Sequence, residues 1–232
     1  MILAAGFGTR LAPLTDDIPK ALIPVAGKPM IARAVEALSL HGCDPIVVNA
    51  HHHAALMASH FRDFAYTARV ILSGEAEILG TGGGLLHARP LLLGEGPFLV
   101  HNADIVTDFN LYRLIDALED ADAVAALAVN ERRTSRAVLF DSYMNFLGKE
   151  AWKADGQLFA PDARRFGFCG IHAVREDIFD LGFPEGFSDI FDIYRAAIRN
   201  GWRVRGVCYK GNCFDLGTPE SIGRFEAFAA DR

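Results

Sequence analysis

Cysteine is scarce: Cys43, Cys169, Cys208 and Cys213 are the four in the chain, set in apolar or loop contexts with no C-x-x-C pair. That spacing excludes a disulfide framework and a zinc knuckle and fits a reducing, cytoplasmic setting. No apolar run approaches the roughly 18–20 residues that span a bilayer, and the N-terminus lacks the basic flank and long apolar core of a signal peptide. A soluble chain with no membrane partner is expected. Basic surplus is missing too: 23 Lys plus Arg stand against 29 Asp plus Glu, a formal net charge of −6. Without a basic stripe to release counterions from a phosphate backbone, DNA and RNA are not expected partners. There is no Ser/Gly linker, fixed-period repeat or low-complexity tract.

What remains is the balance of a packed globule, 232 residues with 51% hydrophobic against 22% charged. A chain of this size buries roughly 70–75% of its unfolded surface and needs no disulfide or structural metal. One continuous domain over 1–232 is expected, with halves at 1–129 and 130–232. Met1 is followed at once by Ile2-Leu3-Ala4-Ala5, a buried-strand pattern with little lead-in, so the natural chain is expected to start a few residues earlier.

Short apolar runs alternate with stretches of helical period, which predicts an α/β fold with a mostly parallel central sheet and helices on both faces. Strands are predicted over 2–5, 46–49, 69–72, 98–101 and 124–129, with helices over 29–40, 54–61, 84–91 and 111–118 between them. After about residue 130 the pattern loosens, with strands expected over 136–140, 166–173, 203–208 and 213–216 and a helix over 187–200. Thr218-Pro219-Glu220 combines a capping hydroxyl, a first-turn proline and an acid at the positive end of the dipole, so a last helix should start there.

Ala4-Ala5-Gly6-Phe7-Gly8-Thr9-Arg10 follows the first predicted strand directly, where open α/β sheets bind ligands. Gly6 and Gly8 let backbone amides approach an anion, Thr9 adds a hydroxyl donor, and Arg10 offers a fork matched to phosphate oxygens. The same glycines would also serve a tight strand-to-helix turn. A dinucleotide fingerprint needs glycine where Leu11 stands, and no G-x-x-x-x-G-K-[ST] string exists.

Downstream come Leu11-Ala12-Pro13-Leu14-Thr15 and Pro19-Lys20-Ala21-Leu22-Ile23-Pro24-Val25-Ala26-Gly27-Lys28-Pro29-Met30. With the G-x-G-T-R loop, this string resembles the N-terminal signature of the sugar-1-phosphate nucleotidyltransferases. The resemblance continues at Gly80-Thr81-Gly82-Gly83-Gly84, Asn102-Ala103-Asp104, Gly167-Phe168-Cys169-Gly170-Ile171 and Phe214-Asp215-Leu216-Gly217-Thr218-Pro219-Glu220, covering nearly the whole chain. It is strongest to the short, single-domain N-acetylmuramate-1-phosphate uridylyltransferases of peptidoglycan recycling. The fold implied is the Rossmann-like nucleotidyltransferase fold.

The implied reaction is attack of a sugar 1-phosphate oxygen on the α-phosphorus of a nucleoside triphosphate, releasing pyrophosphate. Two anions must meet, so cations and positioning do most of the work. The resemblance makes Asp104 and Asp215 ligands of Mg²⁺, a hard ion suited to carboxylate oxygen, Lys20 the cation at the pentavalent centre, and Arg10 the partner of the leaving pyrophosphate. Nucleotide contacts fall to Ala4, Ala5, Gly6, Gly8 and Thr9, and to Gly80, Gly82 and Gly83, where bare backbone would admit base and ribose. Lys28 reads more simply as a solvated lysine near a helix start.

Glu75 occupies the family position that reads the base edge. A carboxylate only accepts, so it can pair with N3–H of uracil or thymine, or with N1–H and the amino group of guanine. Chemistry favours guanine, while the resemblance, including Glu-x-Glu before the glycine run, favours UTP. Asn102 and the Gly170 backbone are the sugar-side candidates, with Asp189 third. Asn102-Ala103-Asp104 departs from the commoner Gly-Asp, and residues 130–165 match no sugar-binding motif.

Two further readings stand beside uridylyl transfer to N-acetylmuramate 1-phosphate: guanylyl transfer to mannose or heptose 1-phosphate, and a non-catalytic nucleotide-binding regulatory subunit. The presence together of Arg10, Lys20, Asp104 and Asp215 argues against the last. His51-His52-His53 with His60 suggests a metal, but consecutive side chains diverge and a polar loop explains them better.

Overall fold

Short apolar runs become strands, and those at 46–50 and 123–129 are buried on both faces. The computed structural model describes residues 1–94 and 96–231. Its first half contains β1 (Ile2–Leu3), β2 (Pro24–Val25), β3 (Lys28–Pro29), α1 (Met30–Leu40), β4 (Ile46–Ala50), α2 (Ala54–Asp63), β5 (Val70–Gly74), α3 (Gly80–His87), α4 (Arg89–Leu92), β6 (Phe98–Asn102), β7 (Ile105–Thr107), α5 (Tyr112–Ala121) and β8 (Ala123–Asn130). The second adds β9 (Ala137–Phe140), β10 (Phe146–Lys149), β11 (Arg164–Val174), α6 (Ile190–Arg199), β12 (Arg203–Cys208), β13 (Cys213–Asp215) and α7 (Pro219–Ala230).

A nine-stranded sheet in the order β10-β9-β11-β6-β1-β4-β5, with β8 on the other side of β11 and β12 beyond it, joins the two halves. The strands β5, β4, β1 and β6 run parallel, as do β8 and β12, while β11 is antiparallel to β6, β8 and β9. Alternation along the strands feeds two cores. Ile46 and Val48 of β4, Ala126 and Ala128 of β8 and Ile171 of β11 face α1 and α5; Val47, Leu127 and Val174 face the opposite layer built from α3 and α6. A third cluster, with Val25, Met30, Leu216 and Phe225, seats α7 against the β2–β3 hairpin.

Several expected elements shift for identifiable reasons. The first strand stops at Leu3 because the Ala4 amide is captured by the Asn49 side chain at 2.6 Å. The helix expected over 84–91 starts earlier, at Gly80, and breaks at Ala88 before the short α4. The last two helices carry the caps that start them: Thr218 accepts from the Ser221 amide and Asp189 from the Phe191 amide, each completing a capping box. In β11 the register against β8 shifts between Phe168 and His172, and Gly170 sits inside that bulge at φ +72°.

Candidate functional site

The carboxyl ends of β1, β4 and β6 open onto a cavity of about 230 Å³ bordered by Ala4, Ala5, Gly6, Lys20, Asn49 and Asp104, with Ile78, Gly80, Thr81, Asn102 and Ala103 also on its walls. Of the residues expected to hold nucleotide, Ala4, Ala5, Gly6 and Gly80 are therefore assembled in one place. A Cβ at Gly6 would meet nothing within 4 Å, so its backbone faces open space. Gly8 adopts φ +67°, and a Cβ there would lie 2.7 Å from Lys20 Cβ and 2.9 Å from Thr15 Cγ2. Glycine is thus required both by the left-handed backbone and by the close approach of the Lys20 segment. The following 3-10 turn, Thr9–Leu11, carries Arg10 out of the first cavity and into an adjoining one.

Lys20 sits just after Pro19, whose extended backbone at ψ 142° keeps the lysine out of any preceding helix. Its Nζ donates to Asp104 Oδ2, and both side chains are largely shielded. Asp104 follows β6 and precedes β7, which pairs antiparallel with β13 so that Asp215 stands opposite Ile105 and the Leu216 amide donates to the Asp104 carbonyl at 2.8 Å. Two acids 111 positions apart (215 − 104) are thereby brought near one another, Asp215 inside the ladder and Asp104 one residue before it, opposite Leu216. Asp215 Oδ1 also accepts from the Gly217 amide at 3.0 Å. A Cβ at Gly217 would touch both Asp215 Oδ1 at 2.7 Å and Arg10 Nη2 at 2.6 Å, so the missing side chain lets Arg10 lie beside Asp215.

Glu75 stands behind the wall of the first cavity. It is 6% exposed, its Oε1 accepts from Asn49 Nδ2 at 2.6 Å and its Oε2 from the Leu79 amide at 3.1 Å. Asn49 completes the relay by accepting from Ala4 N, so the carboxylate braces the loop after β1 through a side chain that itself borders the cavity. Nothing in the local sequence around Asn49 announced this role; it is one polar residue in a buried strand. Gly82 and Gly83 also have a packing reason. A Cβ at Gly82 would lie 2.8 Å from Asp189 O, and one at Gly83 would collide with Gly186 O, so both seat the 186–189 segment. Thr81 joins the same contact, its hydroxyl accepting from the Ile190 amide at 2.9 Å.

On the other side of Asn102 a second pocket is bordered by Gly170, Lys149, Asp189, Asp215, Arg132 and Arg136. Gly170 owes its place to the β11 bulge: a Cβ there would be 2.7 Å from Ile105 Cγ1 and 3.0 Å from Asn102 Nδ2. The three sugar-side candidates Asn102, Gly170 and Asp189 thus share one pocket. Asp189 is also ion-paired to Lys149 at 3.0 Å. The histidine triplet divides: His51 Nδ1 contacts Glu75 O at 3.0 Å and His53 Nε2 contacts Asp16 O at 3.1 Å. Among the described residues no group of three or more His, Cys, Asp and Glu side chains is arranged to hold a metal by itself. Asp104 and Asp215 offer the carboxylate oxygens that a hard ion takes, and one oxygen of each already accepts from this chain, from Lys20 Nζ and from the Gly217 amide.

A fold that opens the ends of parallel strands onto a glycine loop and a Lys20–Asp104 pair has the layout of a phosphoryl-transfer site. The nucleotidyl transferase family profile matches residues 1–137, and the chain belongs to that family. Over its full length it is 32% identical to an N-acetylmuramate alpha-1-phosphate uridylyltransferase of Caulobacter vibrioides, covering 96% of that protein. It is 37% identical to mannose-1-phosphate guanylyltransferase 1 of Arabidopsis thaliana over 56% of this chain and 37% of the relative. A UDP-glucose pyrophosphorylase solved with UDP-glucose shares the fold at a TM-score of 0.80 and 20% identity, covering 100% of this chain and 98% of that one.

Proposed function

We propose that this enzyme transfers a uridylyl group from UTP to N-acetylmuramate 1-phosphate. The sugar phosphate oxygen forms a bond to the α-phosphorus, the bond from that phosphorus to the bridging oxygen of the β-phosphate breaks, and pyrophosphate leaves with the electron pair. The observation that supports the reading is the Lys20–Asp104 pair on the border of the first cavity, with Asp215 on the strand that pairs with β7. Full-length likeness to the Caulobacter vibrioides enzyme supports the choice of sugar and base.

In this reading the amides around Gly6 and Gly8 hold the triphosphate, and Arg10 takes the departing pyrophosphate. The Lys20 ammonium has three donors, so it can keep Asp104 and still give a hydrogen bond to a phosphate oxygen. Asp104 and Asp215 would hold Mg²⁺, which when bound supplies neutralising charge between the two reacting phosphates. Glu75 acts through Asn49 and Leu79, setting the wall that meets the base. Among the described residues no helix is long and apolar enough to cross a membrane.

Guanylyl transfer is the competing assignment, favoured by the partial match to the Arabidopsis thaliana guanylyltransferase. Pyrophosphate release measured with UTP, GTP and dTTP, each against N-acetylmuramate, mannose and N-acetylglucosamine 1-phosphates, separates the two. Turnover is expected with UTP and N-acetylmuramate 1-phosphate; turnover confined to GTP overturns the uridylyl assignment, and nucleotide binding without release in any pairing makes the protein a regulatory binder.

A further inference from the structure

The sugar-side pocket has more cationic donors than a sugar 1-phosphate needs. Arg132, Arg136 and Lys149 all border it. Lys149 is paired with Asp189, whereas Arg136 has neither an ion pair nor a hydrogen bond to its guanidinium among the described residues. Arg132 is held in place: its Nη2 donates to the Phe168 carbonyl at 2.7 Å, and its stem crosses Gly167, where a Cβ would lie 2.6 Å from Arg132 Cγ and Nε. One of five guanidinium N–H groups is used in that contact, which leaves the fork free to grip an anion. The same two arginines also border the adjoining cavity of about 550 Å³, shared with Arg10, Arg133 and Arg224. In a chain of formal net charge −6 such a concentration is a local reversal of sign.

Lys20 and Asp104, where the 1-phosphate belongs in the transfer reading, border the first cavity, which shares Asn102 with the sugar-side pocket; Asp215 borders the pocket itself. Arg132 and Arg136, on loop residues between β8 and β9, border this pocket together with the sugar-side candidates Asn102 and Gly170, and neither borders the first cavity. We infer that Arg132 and Arg136 are specificity-determining residues that recognise a second anion on the sugar, a carboxylate, which planar guanidinium groups match through paired hydrogen bonds. The inference rests on the transfer reading above and deepens it. N-acetylmuramate differs from N-acetylglucosamine by a lactyl ether that carries such a carboxylate, so the pair of sugar phosphates isolates the group in question.

The test is steady-state pyrophosphate release by the full chain with N-acetylmuramate 1-phosphate and with N-acetylglucosamine 1-phosphate, for wild type, Arg136→Ala, Arg136→Gln, Arg136→Lys and Arg132→Ala, with melting temperatures recorded alongside. Wild type should prefer the acidic sugar. Each Ala or Gln variant should lower the ratio of kcat/KM values, acidic over neutral sugar, by about 10- to 100-fold, the worth of a hydrogen bond to a charged group. The change should be carried by KM for the acidic sugar, and Arg136→Lys should recover part of it. A ratio unchanged in folded variants, with both substrates losing equally, overturns the inference and assigns the arginines to the phosphates common to both. Wild type that turns over the neutral sugar as well as the acidic one overturns it too, while leaving the transfer reading intact. An enzyme inactive on every sugar phosphate removes that reading and the inference with it.

Discussion

Asp104 and Asn49 both border the first cavity, yet their substitution should fail in different ways. Asp104 is shielded, its carboxylate accepts from Lys20, and that carboxylate is the group assigned to the reacting centre. Asp104→Asn should leave nucleotide affinity, measured by calorimetry, within a few-fold, while turnover falls by about 10²–10³, as for loss of one preorganised electrostatic contact. Asn49 is 2% exposed and joins Ala4 N to Glu75 Oε1. Its replacement by Ala strands a buried amide and part of a carboxylate, so urea denaturation should show a loss of about 1–3 kcal/mol together with a raised KM for the nucleotide. The two effects separate chemistry from bracing. Glu75 illustrates why they are hard to separate from the chain alone: a carboxylate in the family's base-reading position is visible in one line of sequence, but the donors that occupy its oxygens come from positions 49 and 79.

Among the elements, α3 is held less by propensity than by what its glycines admit. Gly82, Gly83 and Gly84 are poor helix formers, yet they are buried, because the 186–189 segment and the Glu75–Asn49 pair press against them. Gly83→Ala must displace the Gly186 carbonyl, and a cost of about 1–3 kcal/mol is expected from overpacking, seen as a lowered denaturation midpoint with an exposed 186–189 segment in hydrogen exchange. At α7 the opposite holds, since the start is written locally. Thr218→Ala removes the acceptor for the Ser221 amide and should cost about 1 kcal/mol.

This contrast marks how far the fold was legible. Residues 203–208 form β12 at the expected bounds, and 46–49 and 98–101 each extend by one residue, because alternating or continuous apolar runs bounded by turns leave few choices. Strands β7 and β10 escaped notice. Each is short, and each becomes a strand only through its partner: β7 pairs with β13, and β10 with β9 across a turn that Asp141 closes by accepting from the Tyr143 and Asn145 amides. The run at 80–84 was legible as a place where side chains are forbidden, though the neighbour forbidding them at 82 and 83 lies more than a hundred residues away.

For the molecule as a unit, two buried histidines tie stability to pH. Burial lowers His101 to about 4 and His172 to about 3. His172 is 1% exposed, stacks on Phe168, and has no hydrogen-bond partner at either ring nitrogen among the described residues. In the unfolded chain both take up a proton near the ordinary histidine value of about 6.5. Between that value and the depressed folded ones the unfolded state binds more protons, so their contribution is whole above about pH 6.5 and is lost as pH falls. The denaturation midpoint should therefore drop between about pH 7.5 and about pH 5. In His172→Phe the drop should be shallower; an equal slope would place the acid sensitivity elsewhere.

The order of motifs along the chain was enough to give the family and the reaction class through their resemblance to a known signature, while the residues taken alone supported only an anion-binding loop at a strand end. Which residues border the cavities followed only from folding. Asn49 rather than Glu75 borders the first cavity, Gly170 reaches Asn102 through a bulge, and arginines from a stretch without any recognisable motif border the second pocket. Local sequence limits what a residue can do, whereas the direction it faces is set by contacts with segments far removed in the chain.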